Sequence, residues 1–410
     1  KRQVIFTLTL VLSTAVPFAM AAELNQNQKT LDDYLTRTAP GAVGDYAVLL
    51  AELAALSPQE YAVALNQISP EPYLALSSQT LSLMQAYNQR VEDRQTEVRW
   101  LLGPKPKAED ESETSSIRKR FASTATDWRT WFSFIDHANS QNNTDESESF
   151  ESDGASGILG VDRIFGRFCV GGNLGYSYGE MKTDVHADGE MDIFHLGVYG
   201  GWFPGNFFVK GSATYGWADY KMRRRVLNFP RSVTRHIHAD YPGDGYSIYL
   251  DCGYDWRRGP VMITPYIGIQ STAAEQYKQE ESSSDEEGRG GGNLEVLAIN
   301  QHWFHGFLGL NCSASFPLNR ITLIPQARFE YAYDFADEVP KVDARFCYAD
   351  MPAAGFFEIR GADLPESIFR AGVGLAVRIK NTVALSVDYD KWFQGERDQN
   401  ILSFGLEILF

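Results

Sequence analysis

Long hydrophobic runs are almost missing from this chain of 410 residues. Beyond the extreme N-terminus no window reaches the roughly 18 uninterrupted apolar residues of a spanning helix, which argues against a helical membrane protein. Cysteine is scarce as well. Cys169, Cys252, Cys312 and Cys347 lie far apart without CxxC or Cys/His spacing, so they read as small apolar wall residues rather than a disulfide framework or metal site. Basic charge is outweighed, with 37 Lys and Arg against 53 Asp and Glu, and a net charge of −16 gives no support to a nucleic-acid binder. No GxSxG, HExxH or P-loop occurs, so no enzyme, cofactor or metal is expected. "HWFH" is no metal pair, because a strand turns His302 and His305 to opposite faces.

Aromatic residues, by contrast, make up 13% of the chain, and there are 35 glycines. Rings on one side and small residues on the other suit many strands. The chain opens on Lys1 and Arg2, an apolar run from Val4 to Phe18, and Ala19-Met20-Ala21. That order reads as a signal peptide, residues 1–22, removed after Ala21 or Ala22; the competing reading is a buried strand of a truncated upstream domain.

Residues 23–102 carry leucines and alanines at three- and four-residue spacing, which predicts a helical region. Within it Ser57, Pro58 and Glu60 form a capping-box signal. A candidate lumen helix, 78–101, loses its apolar stripe after Tyr87 and ends charged nearly all round, at Arg90, Glu92, Asp93, Arg94, Glu97 and Arg99. Residues 103–127, with Pro104, Pro106 and mixed charge, predict a flexible linker.

From Trp128 to Phe410 the period is two, in about twelve strand-like runs, most of them near the roughly 9 to 11 residues a tilted transmembrane strand needs. Their connections alternate without exception. Long segments near 138–155, 179–190, 220–245, 272–302, 334–367 and 390–400 are separated by the turns "FGRF", "FPGNF", "RRGP", "PLNR" and "KNT". This predicts an all-β transmembrane barrel of about twelve antiparallel strands, preceded by the helical region. Leu402, Phe404, Leu406, Ile408 and Phe410 alternate with Ser403, Gly405 and Glu407, and form the closing strand with its apolar face on lipid.

A signal, an Ala/Leu-rich helical region, a charged helix, twelve alternating strands and a terminal Phe together resemble the autotransporter β-domain of type V secretion. "LAALSPQEYAVALNQISPEPYLAL" is similar to the segment that precedes such barrels, and "LSFGLEILF" to their terminal assembly signature. The resemblance implies a Gram-negative outer membrane with its lipid and lipopolysaccharide, and a monomeric barrel. It also implies a last strand read by the barrel-insertion machinery, an exported N-terminal passenger and a helix left in the pore. Asp251, Arg328, Glu330, Arg370, Arg378 and Asp388 are the expected lumen-facing residues. The chain departs from the family pattern in its N-terminal segment, too short for a long β-helical passenger, so the expectation is a vestigial passenger, a sequence that is a fragment of a longer protein, or a barrel put to another purpose. The Asn-Asn cleavage of some members is not carried over, since Asn142-Asn143 lies in the first long loop. The alternative is a porin-like channel partly plugged by the helix.

One long connection is basic. Arg223, Arg224, Arg225, Arg231 and Arg235 are expected to face outward in a loop spanning 220–241. There they would attract the acidic segment 279–287 or, in the sharper reading, lipopolysaccharide phosphate.

Overall fold

A computed structural model describes residues 24–410 apart from 103–127, 145–146, 230–231, 284–289, 337, 348–354, 380–381 and 410. The signal peptide, the linker, Arg231 and Phe410 therefore lie outside the described residues.

Twelve long antiparallel strands pair in chain order. They are β1 Trp128–Gln141, β2 Phe150–Phe165, β3 Phe168–Thr183, β4 Ala187–Trp202, β5 Phe207–Val226, β6 Arg235–Tyr254, β7 Val261–Gln276, β8 Ile299–Ala314, β9 Ile321–Asp334, β10 Ser367–Ile379, β11 Val383–Gln394 and β12 Arg397–Leu409. The first and last pair along their length, from Arg129 with Leu409 to Gln141 with Arg397, so the sheet closes and no edge is left. A tight turn at one end of the barrel uses Gly166 at φ 61°, a left-handed conformation that glycine adopts without Cβ strain.

Alternation sorts the side chains. Phe132, Phe134, Leu174, Leu196, Val198, Leu308, Val373 and Phe404 point outward and are exposed, although each is large and apolar. An exposed belt that continues around a closed barrel requires hydrocarbon, not water, as its neighbour. Aromatic rings border it. Trp128, Phe165, Phe168, Trp202, Phe207, Tyr254 and Trp256 ring the short-turn end, while Tyr176, Tyr215, Trp217 and Tyr246 stand at the other. From Phe207 to Trp217 along β5, a rise of about 3.4 Å per residue and a tilt of about 40° give a band roughly 25 Å tall, the height of a bilayer's apolar zone.

Several connections expected to be long loops are instead strand. β3 continues to Thr183 and β4 resumes at Ala187; β11 ends at Gln394 and β12 starts at Arg397. Above the apolar band the outward residues become polar, as with Glu180 and Lys182, so hydrophobic alternation fades while backbone pairing goes on.

Among the described residues four α-helices precede the barrel: α1 Gln26–Thr38, α2 Gly44–Ala54, α3 Pro58–Ile68 and α4 Glu71–Leu102. The Ser57/Glu60 capping box starts α3 as its spacing predicts, and Asn25 with Gln28 does the same for α1. The lumen helix begins earlier than residue 78, because Ser69 Oγ accepts from the Glu71 amide and Pro72 fits the first turn. At about 1.5 Å per residue its 32 residues measure roughly 48 Å, enough to thread the barrel.

Helices α1 to α3 sit over the long-loop end. Leu31, Tyr34, Tyr46, Leu49, Leu65 and Ile68 share one buried core with Leu294, Val296, Val342, Phe346, Phe357 and Ile359 of the loops and with Val226 and Ile237 at the strand tips. The loop residues form a four-stranded sheet of their own, 279–280, 294–296, 341–346 and 357–360. Tyr34 packs on Phe357 with ring centres 4.7 Å apart, and Tyr46 on Phe346 at 5.4 Å.

Candidate functional site

The interior of the barrel is the site, and α4 fills it. At the long-loop end Ser78 meets Gln301 of β8 and Gln79 accepts from Ser152 of β2; at the other end Arg99 reaches Asp255 in the turn after β6, at 3.6 Å. The helix is not centred. Its backbone lies closest to the inner faces of β1 to β8, where inward glycines leave room. A Cβ on Gly175 would stand 2.5 Å from the Tyr87 ring and 2.7 Å from the Gly157 carbonyl; one on Gly179 would stand 2.8 Å from Leu83. Tyr87 fills the space so left, stacking on His195 of β4 at 4.1 Å and donating to Asn173 of β3 at 2.7 Å.

Toward β9 to β12, and across the closing seam to β1 and β2, long polar side chains bridge the gap. Arg94 pairs with Asp162 at 2.8 Å and Glu407 at 3.0 Å. Arg90 donates to Ser133 at 2.7 Å and Ser386 at 3.3 Å. Asp93 takes Arg328 at 2.5 Å, and Gln89 donates to Asp390 at 2.8 Å. A helix charged all round is stable here because each buried charge finds an opposite one or a hydrogen bond.

Each residue expected in the lumen has a definite place. Arg328, Glu330 and Arg370 are buried beside the lower half of α4, with Arg370 3.0 Å from Asp390; Asp251 pairs with Lys210 at 3.4 Å. Asp388 accepts from Gln326, and Arg378 donates to the Glu97 carbonyl at 3.1 Å. Sequence reasoning put small residues such as Gly197 and Gly405 on the inner face but did not single out Gly175, Gly179 or Asp162, and it placed Glu407 there without giving it a partner. Inward parity marks all of them, but parity does not say which strand a helix side chain will reach.

The basic segment is not one outward loop. β5 runs to Val226 and β6 restarts at Arg235, so the period of two turns Arg224 and Arg235 inward and only Arg223 and Arg225 outward. Arg224 is buried and holds Glu281 of the acidic segment at 2.6 Å, along with the Gln67 and Ser69 carbonyls at the end of α3. Arg235 is buried and grips Asp45 at 2.9 Å and Glu52 at 2.7 Å, both on α2. Arg223 pairs with Glu190 at 2.6 Å, and Arg225 lies 4.0 Å from Asp188.

Outside the membrane band, burial raises the Glu148 carboxyl above its usual range; Asp184 adds to the effect, and a hydrogen bond from Asn66 of α3 opposes it. His302 contacts Ser271 and His305 faces Asp334, on opposite sides of the wall. Among the described residues no group of three or more His, Cys, Asp or Glu side chains could hold a metal ion, and the four cysteines are free thiols.

A family model, the autotransporter beta-domain, matches residues 130–390. Among curated proteins the chain is similar to Outer membrane protein A of Rickettsia conorii, 26% identical over 279 residues, covering 63% of this chain and 13% of that protein. It is also similar to the Extracellular serine protease of Serratia marcescens, 23% identical over 269 residues, covering 65% of this chain and 24% of that one. The chain thus spans a quarter or less of the length of these relatives. Among solved structures, the translocator domain of the autotransporter NalP from Neisseria meningitidis aligns with a TM-score of 0.54 at 14% identity, covering 72% of this chain and 93% of that one. The beta domain of the Bordetella autotransporter BrkA aligns at 0.50 and 15% identity, covering 69% and 100%. These two likenesses concern the fold.

Proposed function

The chain belongs to the autotransporter β-domain family, outer-membrane translocator barrels of Gram-negative bacteria, and from that premise we propose that it exports and keeps its own N-terminal segment. Residues 24–70 belong to the exported part and are held on the cell surface as a cap, and α4 is the tether left in the pore. The observation that carries this reading is the shared core of α1 to α3 with the long loops, together with Arg224 and Arg235, which close on the cap from the strand tips. A segment in transit would not share a hydrophobic core with the mouth it leaves.

The division into a helical region at 23–102, a linker at 103–127 and a barrel at 128–410 belongs to the same proposal. So does the role of the last strand. The outward placement of Phe404 and Ile408 supports a terminal signature, with Leu402, Leu406 and Phe410, read by the barrel-insertion machinery. The family's β-domain is not itself catalytic, and we assign no chemistry to the cap. A lumen filled by α4 and covered by α1 to α3 weighs against the porin-like alternative.

A short peptide tag placed just before Gln26, with the export signal kept upstream, tests the proposal. Antibody should bind the tag on intact cells. Binding that appears only after the outer membrane is permeabilised would overturn it.

A further inference from the structure

The polar bonds of α4 are unevenly arranged around the wall. Arg90 and Arg94 are one turn apart, so both leave the same face of the helix. Arg94 binds Asp162 on β2 through Nε at 2.8 Å and Glu407 on β12 through its Nη atoms at 3.0 and 3.1 Å. Those two strands are not neighbours: β1 lies between them. Arg90 binds Ser133 on β1 at 2.7 Å and Ser386 on β11 at 3.3 Å, and here the strand between is β12. Ser133 Oγ in turn donates to the Phe404 carbonyl of β12 at 2.6 Å. Each arginine thus straddles one of the two strands whose pairing closes the barrel.

Other contacts of the helix are distributed differently. Asn88 reaches only β5 and Asp93 only β9 among the described residues, Tyr87 reaches the adjacent pair β3 and β4, and Ser78, at the outer end, meets β8 and β12 without bridging the strands at the closing seam. Arg94, Asp162, Glu407, Arg90 and Ser133 are buried, and Ser386 is half-buried. Where water is excluded, a two-armed guanidinium bond is directional and costly to break.

We propose that α4 serves as a clasp for barrel closure, with Arg94 and Arg90 holding β11, β12, β1 and β2 in register while the first and last strands pair. The helix then has a second task besides tethering. It lends side-chain bonds to the one junction in the barrel that no chain turn connects. Arg94 is on this view a positioning residue for the seam. The inference goes beyond export and does not depend on it, so its failure would leave the cap proposal standing.

The test uses the full chain refolded into detergent micelles and followed by amide hydrogen exchange, strand by strand, with heat-dependent gel mobility reporting the closed form. In Arg94→Gln, β1 and β12 should exchange at least about tenfold faster than in the parent, with β3 and β4 unchanged. Asn88→Ala, which removes a one-strand contact, should leave β1 and β12 as they were. If Arg94→Gln does not fold, Arg94→Lys keeps the charge but loses the two-armed reach, and should loosen the same two strands to a smaller extent. Equal loosening of all strands, or none at β1 and β12 in either variant, would overturn the clasp.

Discussion

Replacing Arg235 by alanine removes the firmest grip the barrel has on α2. Its side chain is fully buried, with Nε and Nη2 on the two oxygens of Asp45 at 2.9 and 3.0 Å and Nη1 on Glu52 at 2.7 Å. Breaking a fully buried ion pair from one side costs about 3 to 5 kcal/mol. Asp45 and Glu52 keep 16% and 18% exposure, so water recovers part of that cost. A loss of about 2 to 3 kcal/mol remains, equivalent to roughly 30- to 150-fold in an opening equilibrium. Hydrogen exchange on the folded protein in micelles reads this directly: the amides of α2 should exchange faster by that factor, with the twelve barrel strands unaffected. The Asp45 oxygen that also accepts from the Gly291 amide at 2.8 Å should make loop 290–296 loosen with α2. Unchanged exchange in α2, or equal acceleration in cap and barrel, would refute the claim that a strand tip holds the cap.

Two further predictions test the lumen and the loops. Gly175→Ala forces a methyl against the Tyr87 ring and the Gly157 carbonyl, an overpacking of about 1 to 3 kcal/mol, while a Cβ at Gly157 meets nothing within 4 Å. The temperature at which the folded band converts on a gel should therefore fall for Gly175→Ala and hold for Gly157→Ala. Glu148 has a raised carboxyl pKa in the folded loop, so its contribution is fully present below the ordinary carboxylate pKa and is lost as pH rises through the folded value. Proteolytic nicking around Glu148 should accordingly slow as the medium is acidified, and Glu148→Gln should weaken that pH dependence, the remainder resting on Glu71, which accepts from Ser147 Oγ at 2.8 Å and the Glu148 amide at 2.6 Å.

Much of the barrel was legible in the sequence because its environment is simple. Hydrocarbon outside and a polar helix inside give each strand two unlike faces, so Phe194, Leu196 and Val198 alternate with His195, Gly197 and Tyr199 across the bilayer. That signal ends where the lipid ends. Arg224 and Arg235 were expected to face outward because water and cap are both polar enough to hide parity, although hydrogen bonding carries the strands to Val226 and from Arg235. The cap was invisible for a related reason: leucines at helical spacing announce a buried face but not the loop residues, such as Phe346 and Phe357, that bury it. The charge of α4 predicted a polar lumen, whereas the pairing of Arg94 with Asp162 and Glu407 depends on helix rotation and strand stagger. No local pattern encodes either.

The cap must lie on the outer side of the membrane if α1 to α3 are exported. Gln59→Cys, exposed on α3, and Asn206→Cys, in the turn between β4 and β5, place one thiol at each end of the barrel. Treated on intact cells with a membrane-impermeant maleimide, position 59 should label at once and position 206 only after the outer membrane is permeabilised. The reverse order would contradict the account, and so would a cap thiol that stays silent until permeabilisation.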